Sequence, residues 1–270
     1  MKIYDTKRLI FSFYLSECSL SNSVNKLHLK LLSRYINNFD EIIFCIIPES
    51  GLDSFFIYEL EKAVIEFTHK NIEFKIVENT NYRESLVYKT EIVDKMRDLD
   101  GLTLFGHNKG ISYSDVTEDT FKWIVALYYF NLEVELPNND MNGMCFYGAL
   151  KSTNIYLEDY TPNSAVVLPK YNWFYNGTFF WGKYQEVFNL LKNIGREIPE
   201  MCSRWFDEMF PGNVLEEYWG SCYGECCASK NMITGDNIDS FLYQTYKGEE
   251  WVFYNFLDFY NFIMGDGDIR

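Results

Sequence analysis

Apolar residues crowd into short runs over 7–15, 40–48 and 102–105, and a further apolar-rich segment spans 72–77. Runs of this length, closed by polar or turn-forming positions such as Pro48, predict strands, and the near-continuous ones suit a parallel sheet covered on both faces. Between them the period changes. Leu27, Leu31, Leu32, Tyr35 and Ile36 recur at helical spacing, as do Phe56, Leu60, Val64 and Phe67 behind Ser54, whose side chain can cap a helix to about residue 69. A polar turn over 79–84 leads into a helix to about residue 99. Strands alternating with helices through short connections predict a right-handed, doubly wound parallel sheet.

The alternation weakens after Pro137. An aromatic-rich helix over 120–132 precedes it, and a turn over 138–143, a strand over 144–150 and loop over 151–169 follow. A single aromatic strand is expected over 173–181, then helices over 184–193, 199–209, 213–219 and 249–263. There is no internal repeat and no linker long enough to separate two domains, so the chain reads as one domain, 1–270, with halves 1–135 and 136–270.

Composition narrows the partners. A formal charge of −15 excludes bare nucleic acid or an anionic membrane as the main partner, because both require a basic surface. No segment reaches the length of a transmembrane helix, and the first apolar run is too short for a signal-peptide core with its cleavage site. The expectation is a cytoplasmic protein. Seven cysteines, an odd number, imply free thiols, and Cys222, Cys226 and Cys227 lack a nearby His to complete a zinc framework. Aromatic residues make up 19% of the chain, which suits either a coding bias or rigid faces for sugar rings and interfaces.

The candidate chemistry sits beyond the fourth strand. There the chain turns polar at His107-Asn108-Lys109-Gly110, and in an open α/β sheet ligands bind at the carboxyl ends of strands. Asp98 and Asp100 have the spacing of a metal-binding pair but precede that strand, which assigns them to a helix-to-strand loop. Asp115, Glu118 and Asp119 follow the tip, either as oxygen ligands or as caps of the next helix.

Val77-Glu-Asn-Thr-Asn-Tyr-Arg-Glu, the helix after it and the 102–105 strand resemble, in that order, the amino half of GT-A glycosyltransferases. Where those enzymes carry Asp-x-Asp, this chain has the His107 tip. That tip, the segment Tyr175-Asn176-Gly177-Thr178-Phe179-Phe180-Trp181-Gly182 and Glu217-Tyr218-Trp219 resemble a glycosyltransferase-like group from capsule loci and large viruses. The group carries a His-x-Lys-Gly tip, a Gly-Asn-Phe-Trp-Trp-type segment and a later Glu-x-Trp. The resemblance implies a GT-A-like, Rossmann-like, mostly parallel sheet with flanking helices and an aromatic C-terminal acceptor-side region. It implies transfer of a sugar from a nucleotide-sugar donor to a glycan or glycolipid acceptor in surface polysaccharide or glycoprotein glycan synthesis, peripheral to a membrane where the acceptor is lipid-linked.

On that resemblance Lys109 meets the charge developing on the leaving diphosphate. His107, Asn108, Gly110 and Arg83 contact the donor, and Asn176, Gly177 and Trp181 the acceptor or sugar. Glu217 is the base for the acceptor hydroxyl, with Glu216 the fallback. Asp207 and Glu208 read as solvated helix carboxylates. A requirement for Mn or Mg stays open because Asp-x-Asp is missing. The alternatives are a non-catalytic carbohydrate- or nucleotide-binding protein of the same fold and an interaction protein with exposed aromatics.

Overall fold

The computed structural model describes residues 6–108, 116–134, 143–149, 151–152, 173–175, 177–201, 206–216, 218, 220–221 and 250–265. Seven strands form one sheet in the order β3-β2-β1-β4-β8-β5-β9. They are β1 (Lys7–Leu15), β2 (Glu41–Pro48), β3 (Ile72–Ile76), β4 (Leu102–His107), β5 (Phe146–Gly148), β8 (Phe180–Gly182) and β9 (Gly220–Ser221). Two short strands, β6 (Lys151–Ser152) and β7 (Phe174–Tyr175), pair antiparallel outside it. The described helices are α1 (Ser23–Tyr35), α2 (Ser54–Ile65), α3 (Glu84–Glu91), α4 (Glu118–Tyr128), α5 (Tyr184–Asn193), α6 (Phe206–Val214) and α7 (Glu250–Gly265).

Alternation along β1 divides the core. Leu9, Phe11, Phe13 and Leu15 enter one apolar layer with α1, α2, α4 and α7, whereas Ile10 enters another with α3, α5 and α6. The chain moves outward from β1 to β2 to β3 with α1 and α2 on the first face. It then returns through α3, on the second face, to place β4 on the other side of β1. A crossover of constant hand must change faces when the direction of travel reverses, so this is the doubly wound arrangement the sequence predicts.

The carboxyl half departs from that expectation. β8 pairs antiparallel with both β4 and β5, so the sheet is mixed rather than parallel throughout. The expected strand over 173–181 is two strands, β7 and β8, separated by a turn where Gly177 has φ +90° and Thr178 has φ +48°. Close packing makes room for the fold-back: the ring of Phe179 lies where a Cβ on Gly106 would stand, 2.4 Å away. The helix expected to reach residue 99 is α-helical only to Glu91; Ile92, with φ −116° and ψ −65°, interrupts it, and the chain continues as a 3-10 helix over Val93–Asp98. Where helices were expected over 199–209 and 213–219, residues 199–201 are not helical and α6 runs from Phe206 through Pro211 to Val214; residues 202–205, 217 and 219 lie outside the described residues. Among the described residues no helix is long and apolar enough to cross a membrane, and Cys18, Cys45 and Cys145 are free thiols.

Candidate functional site

The chain reverses direction between β1 and β4, and their carboxyl ends border the crevice that such a reversal opens. Asn108, the first residue beyond β4, closes the base of it. Its amide N–H donates to the Ser12 carbonyl at 3.2 Å. Its Oδ1 accepts from the Tyr14 N–H at 2.9 Å, and its Nδ2 donates to the Tyr14 carbonyl at 3.0 Å and to Asn25 Oδ1 at 2.8 Å. Both amide hydrogens are therefore used inside the protein and the side chain is buried. This corrects its expected role: Asn108 fastens the tip to β1, and its amide is not presented to a donor.

Tyr14 also meets the start of α3. The Arg83 guanidinium lies 5.9 Å from the Tyr14 ring centroid, at cation–π distance, and the residue is exposed. Arg83 adopts φ +46° and ψ −123°, a strained conformation for a residue with a Cβ. One tyrosine thus ties together the end of β1, the beginning of the tip and an exposed cation at the head of α3.

Behind this edge runs a ring of polar contacts. His107 is buried, and its Nε2 lies 3.2 Å from the Gly177 carbonyl, to which it can donate. Its Nδ1 lies 3.7 Å from Glu84 Oε1. The Gly177 N–H donates to Glu208 Oε1 at 3.1 Å. Next to Glu208, Asp207 accepts at Oδ1 from the Ser85 hydroxyl at 2.5 Å, and Ser85 follows Glu84. The ring joins β4, the 177–178 turn, α6 and α3. Asp207 is only 1% exposed and its Oδ2 has no hydrogen-bond partner. Burial, then the charges of Glu84 and Glu208, push its carboxyl up to about 8, against the opposing effects of Ser85 and Thr178. Near neutral pH it is the protonated acid.

Of the expected site residues, the structure brings His107 and Gly177 together and joins Arg83 to Asn108 through Tyr14. Lys109, Gly110, Asn176 and Glu217 lie outside the described residues. Glu216 is exposed just beyond α6. Trp181 is a correction: β8 sends Trp181 into one apolar layer and Phe180 into the other, so both its faces meet core. The Trp181 ring stacks on Phe39 at 5.6 Å, its Nε1 donates to the Asn131 carbonyl at 3.0 Å and it is 2% exposed, leaving no ring face for an acceptor. Asp207 is a third correction, since it faces inward rather than into solvent. Glu118 stands at the head of α4, paired with Lys122 at 3.2 Å. Asp98 and Asp100 precede β4 as expected, Asp98 paired with Arg97 and Asp100 with Arg8.

Sequence reasoning missed Glu84 and Ser85 as site members and misjudged Asp207 and Glu208. Ser85 and Asp207 are 122 positions apart, so no local spacing signals their contact. Among the described residues no group of three or more His, Cys, Asp or Glu is placed to hold a metal ion. No protein-family model matches the chain, and no curated protein matches it either.

Proposed function

We propose that this chain is a nucleotide-sugar-dependent glycosyltransferase of GT-A-like architecture, acting on a glycan or glycolipid acceptor. The observation that carries the reading is the meeting at Tyr14 of the exposed Arg83 and the Asn108-anchored tip. That places a guanidinium beside the strand end from which Lys109 and Gly110 continue, at the chain reversal where α/β sheets bind ligands. A guanidinium can engage a phosphate through two parallel hydrogen bonds. In this reading Arg83 binds the donor diphosphate and Lys109 stabilises the charge that develops on it as the glycosidic bond breaks. Glu217 takes the proton of the acceptor hydroxyl as its oxygen attacks the sugar. The order β3-β2-β1-β4, a parallel half with one reversed strand beyond it, supports the same architecture. No metal is assigned, because the described residues offer no group to hold one, and no step here runs through one.

The test is a thermal-shift panel of UDP-, GDP-, CMP- and dTDP-sugars with and without Mn or Mg, followed by a turnover assay with the donor that binds. A ligand that binds the folded state raises its stability by mass action. A selective shift that Arg83→Ala and Lys109→Ala reduce, together with turnover that Glu217→Gln suppresses, supports transfer. Selective binding without transfer or donor hydrolysis favours a non-catalytic binding protein. The absence of any shift in folded protein removes the donor reading.

A further inference from the structure

The polar ring contains a buried acid that the proposed transfer does not use. Asp207 lies under the contact between α3 and α6, with one oxygen held by Ser85 and the other buried without a partner. A carboxylate in that position would carry its charge out of water with only the Ser85 and Thr178 hydroxyls to oppose the cost of burial. The groups around it make the charge less welcome still. Glu84 faces it from α3 and Glu208 from its own helix, and the Tyr88 hydroxyl of α3 and the Tyr184 hydroxyl of α5 lie within its field. Tyr88 and Tyr184 are fully buried, and Tyr88 donates to Tyr184 at 3.2 Å, so neither readily yields a proton. No Lys or Arg figures among the groups that act on Asp207 most strongly.

The neighbours of Asp207 hold backbone in unusual conformations. Among the described residues, Arg83 and Thr178 are the only ones other than glycine with positive φ, and both flank the ring. Arg83 precedes Glu84, and Thr178 follows the glycine that links His107 to Glu208.

We propose that Asp207 is a pH-sensitive clasp: as a neutral acid it holds α3 and α6 together beneath His107, and as a carboxylate it pushes them apart. The inference is independent of glycosyl transfer and stands or falls on the ring alone. Its sign follows from linkage. The unfolded chain releases this proton near 3.8 and the folded chain near 8. The folded state thus binds more protons across that interval, and stability falls as pH rises through it, levelling off above about pH 8.

The experiment is thermal unfolding of the full chain at fixed ionic strength from pH 6 to pH 9, for the wild type, Asp207→Asn and Ser85→Ala. Asp207→Asn is uncharged at every pH. Its melting temperature should exceed that of the wild type by a margin that widens between pH 6 and pH 8 and then stays constant. Ser85→Ala removes one of the two hydroxyls that favour the carboxylate, so the midpoint of the wild-type pH dependence should move to higher pH. Should Asp207→Asn fail to fold, the shift in Ser85→Ala decides the matter. Parallel curves for the wild type and a folded Asp207→Asn, or an unmoved midpoint in Ser85→Ala, would overturn the clasp.

Discussion

The two ends of the central strands treat charge in opposite ways. At the amino end, Arg8 is buried but well supplied with acceptors: Nε bonds Glu41 Oε2 at 2.5 Å, and a terminal nitrogen reaches the Asp100 carbonyl at 3.1 Å and Thr103 Oγ1 at 3.2 Å. Both of its carboxylate partners keep half or more of their side-chain surface in water, so the pair is held without burying negative charge. At the carboxyl end, the charges of Glu84 and Glu208 act on Asp207, His107 lies beside Glu84 alone of the three, and Asp207 is buried with an oxygen unpartnered. Pairing opposite charges is what stability favours, and crowding like charges is what it opposes. The difference shows that the amino end pairs its buried charge and so helps hold the strands, while the carboxyl end carries a local cost from crowded carboxyl groups.

The largest test of this contrast is Asn108→Ala. It leaves the Tyr14 N–H and carbonyl and Asn25 without their partners, and should lower unfolding free energy by about 3 kcal/mol in urea titration. A negligible loss would mean that the carboxyl end has no anchor of its own. Arg8→Met keeps much of the buried stem and removes the charge, and should lower stability by about 2 kcal/mol, moderated by the exposure of both carboxylates. An increase in stability from Arg8→Met would erase the contrast between the two ends. Gly177→Ala places a Cβ 3.2 Å from Leu127 at φ +90°, and a loss of about 1–2 kcal/mol is expected. Arg83→Ala should have the smallest effect on folding, within about 0.5 kcal/mol in the same titration. Its effect should appear instead as a reduced thermal shift with the binding nucleotide sugar. Substantial unfolding by Arg83→Ala would make that residue a structural part of the edge.

The amino half was legible because its signals are local. Runs such as 40–48 and the helical recurrence of Leu27, Leu31 and Tyr35 fix element type within a few turns of chain. The carboxyl half was less so. An aromatic segment such as 173–181 has the same composition whether it is one strand or two around a turn, and only its packing against Gly106 and β5 decides. The candidate site divided the same way. His107 and Arg83 stood out as polar residues beside strand ends, whereas Trp181 looked equally suited to sugar or core until both faces of β8 proved to be covered.

By itself the sequence determined the α/β alternation, the doubly wound amino half and the position of the polar tip, because hydrophobic period and strand length are properties of neighbouring residues. Only the tertiary structure decided that Asn108 is spent on β1, that β8 runs antiparallel and that Asp207 is buried against Ser85. Those outcomes depend on contacts between segments far apart in the chain. Whether a carboxyl group meets water or another carboxyl is set by what packs over it, and no spacing along the chain encodes that.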